Sequence, residues 1–178
     1  MNLRLARIFL VLIVLVCAGS ALQAQKITVD SDKNLNFQEF KTYAWTAGTP
    51  VKNPLFDQRI IDAVDKQMAA KGFQKVDLSA NPDLLVLYHA AVGQQTELNT
   101  MNMGGWGWRW GGGMSTTTVE KIPVGQLTVD IGVAKTKKIA WMGSASGTLS
   151  DNPDKNTEKV NKSVEKMFKK FPPPPPKP

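Results

Sequence analysis

His89 is the chain's one histidine, so a Ser-His-Asp set for acyl transfer, or a metal held by imidazole, has to be built on it. In strand alternation it shares a face with Leu85 and Leu87, the setting of a satisfied, partly buried histidine rather than a general base. No serine sits in a Gly-x-Ser-x-Gly elbow, and with Cys17 removed by processing only carboxylates remain to complete a zinc shell. Asp30-Ser31-Asp32-Lys33-Asn34 begins like a calcium loop, but Leu35 stands where glycine is needed and Lys41 where a bidentate glutamate is needed. The segment reads instead as a turn closed by Asp and Asn side chains. Asp83, Glu97, Glu120 and Asp130 are the carboxylates available for paired acid and base work, although any fold of this size supplies such pairs. The expectation is therefore a protein that is not an enzyme, with no cofactor and no metal.

The unusual constellation is the run Gly-Gly-Trp-Gly-Trp-Arg-Trp-Gly-Gly-Gly at residues 104–113. Trp106, Trp108 and Trp110 recur at every second position, so in an extended chain their indoles point to one side and Arg109 to the other. Such a surface suits sugar rings, membrane headgroups or a hydrophobic partner; the competing reading has the indoles folded back over the domain or lying loosely in a long hairpin loop. These four residues are the expected contact site.

The elements that must position such a site follow from periodicity. Asn53 and Pro54 open a helix as N-cap and first helical residue, and Gly72 closes it. Phe56, Ile60, Val64 and Met68 form its apolar stripe, opposite Gln58, Asp62 and Lys66. A second helix over 157–170 turns Val160, Val164, Met167, Phe168 and Phe171 inward and stops at Pro172. Strict alternation over 125–133 marks a half-covered strand that pairs as an antiparallel hairpin with 138–146. Residues 84–91 are apolar on both faces and make a central strand. Weaker strands fall at 27–30, 42–45, 74–76 and 115–121. These pieces predict an α+β fold, one mainly antiparallel sheet with two helices packed on one face.

Residues 1–24 read as an export signal: Arg4 and Arg7, an apolar run over 8–16, and small residues over 19–24. Cleavage near Ala24 is expected over lipidation at Cys17, because Val16 is bulky where a lipoprotein peptidase wants a small residue. That leaves residues 25–171 as one domain and 172–178 as a proline-rich tail of polyproline II type. The whole chain carries 22 basic and 15 acidic residues; without Arg4 and Arg7 the balance is 20 against 15, or +5, diffuse and modest. Export together with diffuse charge argues against nucleic acid as a partner. No later segment approaches the roughly 20 apolar residues of a membrane-spanning helix.

The order of these pieces resembles the bacterial family called domain of unknown function 4136. The carriers are Val29-Asp30, then Phe37 with the run Phe40-Lys41-Thr42-Tyr43-Ala44-Trp45, and Arg59-Ile60 leading through Ala63-Val64-Asp65 to Ala70-Lys71-Gly72-Phe73. Pro82-Asp83-Leu84-Leu85-Val86 precedes Tyr88-His89, followed by the run 125–130, by 140–145, and by Phe171-Pro172. Gly132, Val133 and Ala134 depart from the acidic turn frequent after the family's Leu-Thr-Val-Asp strand. The resemblance implies an α+β domain in the cell envelope, periplasmic or outer-membrane-associated, often lipidated, and transfers no functional residue. The function expected is a non-catalytic envelope module that binds or scaffolds an unknown component, whether glycan, membrane surface or protein, with the tryptophan segment as its contact; the alternative is a hydrolase acting on envelope material.

Overall fold

The computed structural model describes residues 25–102 and 115–176. Six strands form one sheet: β1 (Lys26–Ser31), β2 (Thr42–Trp45), β3 (Gln74–Lys75), β4 (Leu84–Asn102), β5 (Ser115–Val133) and β6 (Lys138–Thr148). Two helices, α1 (Pro54–Ala70) and α2 (Pro153–Phe168), complete the α+β fold. The strand order is β1-β6-β5-β4-β2-β3.

The sheet is mainly antiparallel, as expected, but mixed rather than purely so. β1, β6, β5 and β4 pair antiparallel, but β2 runs parallel to both β4 and β3. The reason lies in α1, which links β2 to β3 and returns the chain to the end of the sheet where β2 began; a strand entered that way can only run parallel. The parallel joint is fastened by Asp83, just before β4. Its Oδ2 accepts from Lys41 N (2.8 Å), Thr42 N (2.9 Å) and Thr42 Oγ1 (2.9 Å), while Thr42 Oγ1 accepts from Asp83 N (3.0 Å). Backbone bonds and a neutral hydroxyl all favour the charged carboxylate, with Lys41 N first, and hold its pKa below the ordinary 3.8 against some desolvation.

Asn53 caps α1 by accepting from Leu55 N and Phe56 N, with Pro54 in the first turn, and Gly72 follows its end at a φ of 85°. Asn152 and Pro153 repeat that arrangement on α2, so α2 starts four residues before the expected 157. Both helices cover the same sheet face. Ile60, Val64 and Met68 of α1 and Val164, Met167 and Phe168 of α2 join Leu84, Val86, Leu127, Val129, Ile131 and Trp141 in one core. Gly143 lets α2 approach, since a Cβ there would lie 2.6 Å from the Trp141 ring and 3.0 Å from Met167 Sδ. Phe171 is the hub of an aromatic cluster, with ring centroids 5.2 to 5.5 Å from Trp141, Phe168, Phe73 and Phe37.

β4 and β5 do not stop at the body. Their pairing continues through ten residue pairs from Gly93↔Val124 to Asn102↔Ser115. β6 leaves β5 at Val124↔Thr148, and on the far side the last contact of β4 is Thr49↔His89. The result is a two-stranded ribbon about 30 Å long, at about 3.3 Å per residue. Among the described residues no third strand accompanies it past Val124. The strand expected over 115–121 is the ribbon half of β5.

Candidate functional site

Two features of the sheet can do something beyond holding the fold. The first is its uncovered face. Register lines up Thr28, Ser144, Thr128, His89 and Thr49 in one row across four strands and the chain after β2. Thr128 Oγ1 and Ser144 Oγ lie 3.1 Å apart, and Thr49 Oγ1 lies 2.8 Å from His89 Nδ1. On its other side His89 Nε2 is 3.8 Å from Asp130 Oδ2. Thr49 is placed there by Gly48, whose missing Cβ would fall 2.0 Å from the Tyr88 carbonyl oxygen. The chain can therefore lie directly on β4, with Thr49 N donating to Tyr88 O (2.9 Å) and Ala90 N to Thr49 O (3.1 Å).

His89 is half-exposed, at 48 %, more open than alternation beside Leu85 and Leu87 suggests, because polar residues rather than a layer of protein face it. Asp130 is the opposite: its side chain is 7 % exposed, and its Oδ1 has no hydrogen-bond partner among the described residues. Burial raises its pKa, and the nearby His89 opposes that only in part. Thr49, His89 and Asp130 thus stand in the order hydroxyl, imidazole, carboxylate. However, 3.8 Å is too long for a hydrogen bond, and Thr49 N–H is already committed to β4. A shallow hollow of about 230 Å³ on the same face is lined by Lys26, Thr28, Gln126, Ser144 and Ser146, away from His89.

The other candidate carboxylates do not converge on Asp130. Asp83 fastens β2 to β4, and register sets Glu97 opposite Glu120 in the ribbon. Asp30 and Asp32 accept from the nearby backbone, at Ser31 N (2.8 Å) and Asn34 N (2.9 Å), as turn-forming side chains do. Among the described residues no three His, Cys, Asp or Glu side chains gather as a metal site.

Carboxylates that periodicity overlooks serve the core face. Asp65 of α1 accepts from Tyr43 Oη (2.8 Å) and Trp45 Nε1 (2.7 Å) and pairs with Lys75 (2.8 Å). Asp57, two turns earlier, accepts from Tyr88 Oη, which also accepts from Val51 N. Burial, then the bond to Asp57, pushes the Tyr88 hydroxyl up to about 12, and burial with Asp65 raises Tyr43 further. Both tyrosines stay neutral donors at physiological pH. The signal in the sequence is spacing: Asp57 and Asp65 flank the apolar stripe of α1 on one side.

The second feature is the ribbon. Residues 103–114, which join its two strands, hold Trp106, Trp108, Arg109 and Trp110, and these lie outside the described residues. Cys17 and the leader 1–24 lie outside them as well. Among the described residues no helix is long and apolar enough to cross a membrane.

Two helices on one face of a six-stranded mixed sheet, with a ribbon leaving the sheet's centre, define an α+β module of the helix-on-sheet class. The chain belongs to the family described as domain of unknown function DUF4136, whose profile matches residues 27–173. Among curated proteins none matches the chain. A PDZ domain protein from Parabacteroides distasonis shares the fold at a TM-score of 0.55 and 20% identity; the match covers 84% of this chain and 35% of that one, so the chain spans about a third of its length. The PelC dodecamer from Paraburkholderia phytofirmans aligns at a TM-score of 0.48 and 13% identity, covering 82% of this chain and 95% of that one. A neuraminyllactose-binding hemagglutinin homolog from Helicobacter pylori aligns at 0.45 and 11% identity, covering 75% and 86%.

Proposed function

We propose that this chain is a non-catalytic envelope module that binds or scaffolds, with the body as a stiff mount and the ribbon as an arm presenting Trp106, Trp108, Arg109 and Trp110. The observation that carries the reading is the ribbon itself: nine residue pairs, Gln94↔Pro123 to Asn102↔Ser115, extend past the last neighbouring strand, so β4 and β5 reach about 30 Å beyond Gly93 and Val124. An isolated hairpin is marginal in water, so an arm of this length serves contact better than stability. Export to the periplasm or outer membrane, with cleavage near Ala24, follows from the leader. The partner is an envelope glycan, membrane surface or protein.

Replacing all three tryptophans by serine tests it. The thermal midpoint should hold while binding to cell-wall glycan or anionic vesicles falls, because only exposed groups can be deleted without loss of stability. A midpoint lowered by several degrees with binding intact would place the indoles in the core and sink the reading.

A hydrolase acting on envelope material is the second reading, favoured by the Thr49, His89, Asp130 order. It requires that His89→Ala abolish turnover of an ester or glycan substrate in protein that remains folded. Activity that survives the substitution removes it.

A further inference from the structure

The ribbon has two edges, and they are chemically unequal. Val86 O and Tyr88 O accept from the chain after β2, and Ala90 N donates to it, so even-numbered residues of β4 turn their backbone groups away from β5. The register of β4 on β5 continues unbroken, so Val92, Gln94, Thr96, Leu98, Thr100 and Asn102 present N–H and C=O on the outer edge. None of the six is charged and none is proline. On β5, Pro123 O accepts from Leu149 N (2.8 Å), so odd-numbered residues face outward there: Ser115, Thr117, Val119, Lys121 and Pro123. That edge carries a lysine and a proline without an N–H, two of the devices that keep a free edge from pairing. The β4 edge has neither.

We propose that the β4 edge of the ribbon is a self-pairing surface, joining antiparallel to the same edge of a second copy of this chain about a twofold axis. An uncharged edge with alternating donors and acceptors is complementary to its own copy, and antiparallel pairing makes the contact isologous and closed. Full overlap of 92–102 would set Glu97 opposite its own copy. A shift of two residues centres the axis on Thr96, sets Glu97 against the partner's Gln95, and pairs Val92 through Thr100. The five outward positions of each copy then form about ten main-chain hydrogen bonds, as many as a specific interface usually carries. The resulting four-stranded layer also removes the marginal state of a lone ribbon. This assembly is independent of what residues 103–114 touch.

Sedimentation equilibrium of the exported protein tests it. The expected result is a reversible dimer whose dissociation constant rises about tenfold or more in Thr96→Pro, which deletes an outward donor from each copy but none from the β4–β5 ladder. Thr117→Pro makes the same change on the other edge and should leave the dimer unaffected. In a Cys17→Ser background, Thr96→Cys should oxidise to a covalent dimer and Thr117→Cys should not, since paired strands bring the Thr96 Cα atoms to about 5.5 Å. The cysteine pair also reads the contact without a proline that could unfold the arm. A wild-type protein that remains monomeric up to about millimolar concentration overturns the proposal. So does equal weakening by the two prolines, or a Thr96→Cys protein that fails to cross-link.

Discussion

Asp83→Ala should be among the most damaging polar substitutions in this protein, although the residue belongs to no site. Its Oδ2 accepts three hydrogen bonds, two from consecutive backbone N–H groups that have no strand partner where β2 begins. Bonds to a charged group are each worth about 1.5 to 3 kcal/mol, but this carboxylate is only partly buried and water recovers part of the loss. The expected cost is about 2 to 4 kcal/mol for alanine and about half that for asparagine, which keeps an acceptor without the charge. Urea denaturation at pH 7 reads both as a lower midpoint at unchanged slope. Protonation supplies an independent check. The folded-state pKa lies below the unfolded value of 3.8, so the carboxylate contributes its stability above that value and loses it as pH falls through the folded one. The gap between wild type and Asp83→Ala should therefore narrow below about pH 4. A loss under about 0.5 kcal/mol at pH 7, or a gap that stays constant down to about pH 2.5, would refute the argument.

Trp141→Ala should cost about 3 to 5 kcal/mol in the same assay, since the ring is 1 % exposed and packs on Phe168 and Phe171; a loss below about 1 kcal/mol would place it outside the core. Asp130→Asn should raise the thermal midpoint at pH 7, with the gain disappearing as pH falls toward 4, because burial lifts the folded-state pKa and charging this group costs stability as pH rises through it. A midpoint lowered at pH 7 would contradict that sign. The intact mass of exported protein should correspond to a chain beginning at Gln25, and a diacylglyceryl adduct at Cys17 would reverse the expected processing.

Helix α1 is legible because cap, proline and stripe agree on where it starts. For α2 the stripe begins only at Val160 and suggests a start at 157, while Asn152 and Pro153 repeat the Asn53 and Pro54 signature and set the true one. The ribbon is nearly silent in the sequence. Residues 93–102 carry one charged and several polar side chains with no apolar alternation: Gly93 to Thr96 lie exposed, the stretch is held by its pairing with β5, and periodicity reports burial rather than pairing. The parallel joint is silent for a different reason: Asp83 and Thr42 stand 41 positions apart, and nothing local says that one fastens the other. Of the row on the open face, His89 is placed by alternation. Thr49 is not, because its position follows from Gly48 lying against the Tyr88 carbonyl, a contact with no periodic trace.

β4 and β5 each run without a chain break from the body into the arm, and this has a mechanical consequence. A force applied at the far end pulls both strands along their own axes. Within the body β4 is held by β2 and β5 by β6, through hydrogen bonds that cross the pulling direction. Such bonds share the load together in shear, where a hairpin attached by one strand alone would peel from its neighbour one bond at a time. Tension on the arm is therefore carried into the middle of the sheet and spread over the ladders on either side.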